Sequence, residues 1–535
     1  MKTHKLLLLL IGMSIIGCSK LEEDPKSIVD SEGLAQALGL ELAEGYLAGA
    51  YSGMHHRNFM SREMTQVLMF RSDMMAIGRT GSQERIDHDN FTVSADNGLI
   101  VNKNSYWPKV YQIIRATNDA IGAANSFTDE DQDVVNGIIA ESRFIRAFIY
   151  FHLVRQFGAI PYLDDTTNLS EVSSAERTPA ETVYANIIED LEYAKATLPN
   201  VQSSRAKPSK ATASAYLALV HLTREDFQLA YDEASDLISK EGLYSLGLEP
   251  DFQDLFHPTN KDGSLEPLFH LDFTGVSDGD QGRDYQVAFT GIRSDDQYTN
   301  SSGSSMGGGW SVEVPALAVY TTWDANDYRR TVTFDATAIQ DGNVVPYQNY
   351  TVGDGRAVNR PHVAKYTRMA NTTASQGNGR ASTSHYYMMR YAEVLLIGAE
   401  AANEIGQTAD AETWANRVMT RARNGGNSRV NSANALVAPS AVPADLTGLS
   451  KDAFRTRILE ERRYEFAYEM KRWYDIVRRR LGSTAFGPNG LESEVSTESG
   501  VGPGAKQFDA NRDYLLPIPA DEILINPNLT QNPNY

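Results

Sequence analysis

The sequence predicts a mainly α fold, in which paired helices form a scaffold and an irregular subdomain of loops and short strands is inserted between two helical blocks. Two observations carry this. Apolar residues recur at helical spacing through residues 106–240 and again through 386–480. Between the blocks, from about 249 to 384, glycine, serine, asparagine and aspartate dominate and only short strand-like runs appear.

Residues 32–51 read as the first helix. Residues 60–97 mix turn formers with Arg71, Asp73, Arg79, Arg85, Asp87 and His88, charges of both signs that suit either a polar site or a solvated face. From Tyr106, the residues Val110, Ile113, Ile114, Asn118 and Ile121 keep one stripe. Thr128 to Asp131 has the signature of a helix cap with acids in the first turn. Val134, Ile138, Ile145, Phe148 and Phe151 then continue one face to Phe157, where Gly158 and Pro161 end the helix. Thr178-Pro179-Ala180-Glu181 reads as a capping box opening a helix to about Leu198. Residues 208–223 and 226–240 form the next pair, with Ala213, Ala218, Ala230 and Ala234 set among Tyr216, Leu217, Val220 and Leu237. Residues 386–405 and 409–423, divided by Gly406, form another. Such pairs resemble tetratricopeptide repeats, scattered rather than stacked as a regular solenoid.

Within the insertion, residues 268–273, 285–289 and 332–334 read as strands. A Ser/Gly loop from 300 to 309 ends in Trp310. The last long helix is predicted over 450–480. Phe454, Ile458, Phe466, Met470, Trp473 and Val477 are its buried stripe, and its dense charges read as ion pairs of an interior strut. The chain thus divides into a leader (1–17), a tether (18–31), an N-terminal helical scaffold (32–248), an irregular insertion (249–385) and a C-terminal helical scaffold with its tail (386–535).

The leader carries Lys2 and Lys5, an apolar run from Leu6 to Ile16 and then Gly17-Cys18, the anatomy of a secretory signal. The run is shorter than the ~20 residues of a spanning helix. Cys18 is the single cysteine of 535 residues. It directly follows a small residue and resembles the acylated cysteine of a bacterial lipobox, with Ile16 where Ala or Ser is usual. The other reading is an ordinary cleaved signal with an incidental cysteine. Two or more acyl chains would hold the protein stably on a membrane. Disulfides are excluded, so packing alone holds the fold. A formal charge of −20 argues against nucleic acid, which requires a basic face.

The phrases Ala140-Glu141-Ser142-Arg143-Phe144-Ile145-Arg146-Ala147-Phe148, Arg390-Tyr391-Ala392-Glu393-Val394-Leu395-Leu396, Glu461-Arg462-Arg463-Tyr464-Glu465-Phe466-Ala467 and Leu516-Pro517-Ile518-Pro519 stand out. Together with the lipobox they resemble the SusD/RagB family of outer-membrane lipoproteins, over nearly the whole mature chain. The resemblance implies a surface-exposed, lipid-anchored, non-enzymatic nutrient-binding protein, usually for oligo- or polysaccharides. It also implies a partner, a TonB-dependent transporter of the SusC type on which the lipoprotein acts as a lid. A peptide-binding lid of the same kind and a protein-interaction scaffold are the alternatives. The shared phrases are scaffold and carry over no ligand contacts.

No catalytic group is expected. Gly303-Ser304-Ser305-Met306-Gly307 fits a nucleophile elbow in spacing but sits in a Ser/Gly loop instead of between strand and helix. No histidine pair has zinc-protease spacing, so no metal is expected from that pattern. No cofactor is expected; Asp278, Asp280 and Asp284 offer calcium oxygens without the rest of an EF-hand loop. A sugar site needs an aromatic face flanked by polar groups. Trp107, Trp414 and Trp473 lie on helical stripes, and Trp323 sits beside Asp327 and Arg329 in a structural segment. Trp310 alone follows a polar loop and is the best platform, with Tyr285, Tyr298, Asp73 and Arg79 as further candidates.

Overall fold

Val110, Ile113, Ile114 and Ile121, the first predicted stripe, are at most 1% exposed. The computed structural model describes residues 39–78, 82–101, 105–127, 131–256, 263–273, 284–292, 309–350, 358–367, 385–430, 433–488, 490–491, 494–497 and 500–535. The first block holds α1 (Leu40–Met54), α2 (Glu63–Phe70), strand β1 (Met75–Ile77), α3 (Gln83–Asn90), α4 (Tyr106–Asn125), α5 (Gln132–Phe157), α6 (Ala180–Thr197), α7 (Lys210–Thr223) and α8 (Phe227–Ser239). The insertion carries β2 (Pro267–Leu271), α9 (Gln286–Thr290), β3 (Glu313–Pro315), α10 (Tyr328–Thr333), β4 (Phe334–Asp335) and β5 (His362–Val363). The last block holds β6 (Tyr386–Arg390), α11 (Tyr391–Ile405), α12 (Thr408–Arg423), α13 (Lys451–Glu465) and α14 (Arg472–Arg478).

The long helices pack in a row: α1 on α4, past the short α2 and α3, then α4 on α5, α5 on α6, α6 on α7, α7 on α8. The row then skips the insertion, because α8 packs directly on α11, and α11 on α12 and α13. Gly398 makes this close crossing feasible. A Cβ there would lie 2.8 Å from the Trp414 ring and 3.2 Å from Ala234. The fold is therefore the mainly α, paired-helix scaffold that the periodicity predicts. One apolar cluster runs from α1 to Ile518 and takes in insertion residues such as Phe269, Phe289 and Trp323.

Several elements differ from their expected form. Val134 is exposed and Val135 is buried in its place. The capping box at Thr178 does not form, because Thr178 exchanges backbone hydrogen bonds with Ile160 and Pro179 becomes the cap residue. A capping box forms instead between Ser209 and Thr212 at the start of α7. Residues 386–390 are strand, not helix: β6 pairs antiparallel with β2, from Pro267 opposite Arg390 to Leu271 opposite Tyr386. Every β6 residue is buried, so no alternation distinguishes strand from helix in the sequence. Residues 286–290 are helix, not strand, entered through a turn in which the Asp284 carboxylate accepts the Gln286 N–H at 2.8 Å. Asp327 caps α10, leaving only Phe334–Asp335 as strand.

The predicted 450–480 helix is broken after Glu465. Its carbonyl accepts from Lys365 Nζ at 3.2 Å and from Arg390 Nη2 at 2.8 Å, so it is diverted from the helical ladder. Tyr468 and Met470 then turn the chain with φ of 62°, and α14 sets off afresh. Around this break lies a buried ion network. Arg390 binds Glu465 at 2.5 Å, Glu266 at 2.6 Å and Glu469 at 2.9 Å. Arg421 bridges Glu266 and Glu465, Arg329 bridges Asp327, Glu461 and Glu465, and Lys365 binds Glu469. None of these side chains is more than 4% exposed. Burial pushes the Glu465 carboxyl up, but Arg421, Arg390 and Arg329 outweigh it and hold the group well below the usual carboxylate range.

Arg390→Met leaves Glu266, Glu465 and Glu469 buried with fewer counter-charges, and is expected to cost about 3–5 kcal/mol of unfolding free energy. Urea unfolding monitored by circular dichroism measures it; a loss under about 1 kcal/mol, the range of exposed pairs, would remove the network from its structural role. A second carboxyl gives a pH prediction. Burial opposes the charge of Asp475, but Arg462 and Arg478 hold its pKa at about 2, against 3.8 for an ordinary aspartate. The unfolded chain therefore binds more protons between these values. The stabilisation is full above the ordinary value and is lost as pH falls toward 2. Asp475→Asn is expected to flatten the acid limb of the stability profile, which melting curves across that range record.

Candidate functional site

A short crossing of the chain inside the insertion builds a partly exposed aromatic platform. The turn at Asp284 leads into α9, which sets Tyr285 and Phe289 one helical turn apart. The following Gly291 lies against Gly309 so tightly that a Cβ on Gly309 would fall 2.1 Å from the Gly291 carbonyl carbon. Trp310 then donates its backbone N–H to Ala288 O at 2.6 Å, and Val312 donates to Phe289 O at 3.0 Å. The Trp310 ring stands edge-on to Phe289, with centroids 5.1 Å apart, and 6.4 Å from Tyr285. Trp310 is half-buried, whereas Tyr285 and Phe289 are buried beneath it.

Two arginines border these rings. The Arg62 guanidinium lies 5.7 Å from the Tyr285 centroid and the Arg85 guanidinium 5.3 Å from that of Phe289. Arg62 donates to Glu63 Oε1 at 2.9 Å through Nε, and Arg85 Nε to Gln66 Oε1 at 2.9 Å. Both arginines keep partial exposure. An aromatic ring with guanidinium donors at its edge can hold a sugar ring by its apolar face while bonding its hydroxyl or acidic oxygens.

Below the platform lies Glu313, on β3 opposite Ile77 of β1. It is fully buried, and neither carboxyl oxygen accepts a hydrogen bond from a described residue. Burial pushes its pKa up to about 8, with Arg85 opposing and Asp284 adding to the rise. At neutral pH it is therefore an uncharged acid. The Asp284 carboxylate accepts from the Tyr386 hydroxyl and Gln286.

The structure brings Tyr285 and Trp310 together, Trp310 at the surface and Tyr285 below it. Asp73 offers no surface: it is 1% exposed, and both carboxylate oxygens accept from Arg472, at 2.7 and 2.6 Å. Cys18, Arg79, Asp278, Asp280, Tyr298 and the Ser304–Ser305 motif lie outside the described residues. Trp107, Trp414, Trp473 and Trp323 are core residues, and Trp323 donates its indole N–H to Asp327 at 3.0 Å. Arg62, Phe289 and Glu313 escaped the sequence reading. The four-residue spacing of Tyr285 and Phe289 was the available signal for a helical aromatic pair.

Glu313→Gln tests the buried acid. The ordinary glutamate titrates near 4.5 and the folded one near 8. The folded state therefore keeps a proton that the unfolded state loses, and stability falls as pH rises from 4.5 to 8. The variant lacks this loss and is expected to gain melting temperature relative to the natural chain between pH 5 and pH 8. Parallel profiles for the two proteins would contradict the assignment.

Comparison with known proteins places the chain. Residues 225–535 match the family model described as SusD family, and residues 21–222 match one described as starch-binding associating with outer membrane. The chain is 44% identical over 543 residues to SusD-like protein P2 of Formosa agariphila, covering all of both. A SusD homolog from Bacteroides thetaiotaomicron superposes with TM-score 0.76 at 20% identity, over 93% of this chain and 97% of that one. A laminarin binding SusD-like protein superposes with TM-score 0.71 at 23% identity, over 92% and 99% of the two chains. Surface glycan-binding protein A of Bacteroides thetaiotaomicron, solved with laminarihexaose, gives 0.69 at 18% identity, over 92% and 99%. Among the described residues no helix is long and apolar enough to cross a membrane. By sequence match over both blocks and by fold, this chain belongs to the SusD family.

Proposed function

We propose that the protein is a glycan-binding lipoprotein of the outer cell surface, held there by acyl chains on Cys18. It captures an oligo- or polysaccharide and delivers it to a TonB-dependent transporter of the SusC type. Its role is binding and not catalysis. The observation that carries the reading is the Trp310 platform, an indole packed on Phe289 and Tyr285, whose rings in turn lie against Arg85 and Arg62. A laminarin binding protein and a laminarihexaose complex among its structural neighbours support it. Laminarin is therefore the first probe to use.

A second reading, peptide capture, draws on another feature. A groove of about 890 Å³ runs along α1, α4 and the C-terminal tail. Tyr46, Trp107 and Tyr111 line it, together with Asp119, Asp164 and Glu522. Arg115 lines it too and pairs with Asp119 at 2.7 Å, which leaves Asp164 and Glu522 as the acids that would favour a basic, apolar peptide segment, of a nutrient or of the transporter itself.

Native electrophoresis through laminarin separates these readings. Retarded migration is expected for the natural chain, and Trp310→Ala should weaken binding about tenfold, equivalent to ~1.4 kcal/mol. Undiminished retardation in that variant would take Trp310 out of the site. Calorimetric heat with oligopeptides, together with silence toward glycans, would transfer the function to the groove.

A further inference from the structure

The ladder between β2 and β6 continues past its last pair into three residues that have no part in the platform. Leu271 pairs with Tyr386, and one step further the register sets Asp272 opposite His385. Strand alternation puts His270 on the same face as Asp272. The imidazoles of His270 and His385 stack with centroids 4.0 Å apart and planes 9° from parallel. Asp272 Oδ1 lies 3.1 Å from His270 Nε2 and in contact with His385 Nδ1. One donor atom from each residue falls within 4.8 Å of the others. The histidine side chains are at most 2% exposed, while Asp272 is 40% exposed, so the cluster opens to solvent on one side.

Asp272 Oδ1 thus faces one nitrogen of each ring, and the second nitrogen of His270, Nδ1, has no hydrogen bond among the described residues. His55 comes within electrostatic reach of both His270 and Asp272, and Phe273 packs against its ring. Tyr387 lies beside both stacked rings.

We propose that His270, Asp272 and His385 bind one divalent transition-metal ion of the zinc class. Two imidazoles and one carboxylate are the mixed nitrogen and oxygen set that zinc, cobalt and nickel accept, whereas calcium and magnesium require oxygen throughout. Three protein donors leave a coordination position open on the Asp272 side. The ion would clip β2 to β6, where the insertion leaves and rejoins the helical scaffold. This assignment does not depend on the glycan reading.

The test uses the full chain stripped with a chelator. Cobalt(II) is expected to give a visible d–d band that saturates at one equivalent, and zinc should displace it. Zinc should also raise the melting temperature by a few degrees, since a ligand that binds only the folded state stabilises it. Asp272→Asn and His385→Gln should each abolish the band and the shift. Asp272→Asn, at a partly exposed position, is the variant that keeps its fold if the histidine change does not. A natural chain without a stoichiometric band overturns the proposal, and so does a band that persists undiminished in Asp272→Asn.

Discussion

The contact on which most of the structure depends is Arg390 with Glu465. Arg390 closes β6 and Glu465 closes α13, so this pair joins the end of the insertion to a helix of the last block. It does not act alone. Glu266 beside β2, Arg421 of α12, and Arg329 and Lys365 from inside the insertion converge on the same carboxylates. Aromatic rings enclose the cations: Arg390 lies 4.4 Å from the Phe466 centroid, Arg421 4.8 Å from Phe252, and Lys365 5.0 Å from Phe252 and Phe256. Charges this buried stabilise little when complete and cost much when one partner is removed. Their effect is to make alternative packings of the insertion expensive.

That constraint explains how a segment poor in regular structure can hold a defined surface. The insertion is tied at both ends by the β2–β6 ladder and in its interior by Arg329 and Lys365. Its short paired strands then need little stability of their own. β3 is docked on β1 of the first helical block, which fixes the residues just before it, including Trp310. The platform thus inherits its position from the scaffold through two strand pairs and one glycine crossing, with Arg85 of α3 bordering it from the first helical block.

The helical scaffold was legible because its signals are periodic. Stripes such as Val110, Ile113, Ile114 and Ile121 need a neighbour, and short linkers dictate which one. The Gly406 stop formed as read, with φ of 83°. Misreadings fall where long-range contacts override local preference. Tyr386 to Arg390 is apolar on both faces and takes its form from β2. The 450–480 pattern is continuous in hydrophobicity, yet Arg390 and Lys365, distant in sequence, capture the Glu465 carbonyl and end the helix. The candidate site was half legible. Trp310 was isolated by elimination among tryptophans, but Phe289 meets it only through the crossing of Gly291 and Gly309, and Arg62 joins the site from a distant stretch through Tyr285. Asp73 illustrates the converse: a charge on a turn-rich stretch reads as surface until Arg472, remote in sequence, is seen to cover it.

The β2–β6 ladder raises a last physical question, since a two-stranded ladder of this length is marginal by itself. It has a β-bulge between Pro267 and His270, which weakens it further. Its two ends are fastened by different chemistry. At the Pro267–Arg390 end, Glu266 and Arg390 enter the buried ion network. At the Leu271–Tyr386 end, the strands run on to Asp272 and His385, and His270 stacks on the latter. The first fastening is sealed from water and built from fixed charges, so it is insensitive to solutes. The second is open at Asp272 and built from two imidazoles and a carboxylate, groups that can ligate an ion. The junction of insertion and scaffold is therefore rigid on the side facing the core and adjustable on the side facing solvent, and a metal ion is the ligand whose donor preferences match the adjustable end.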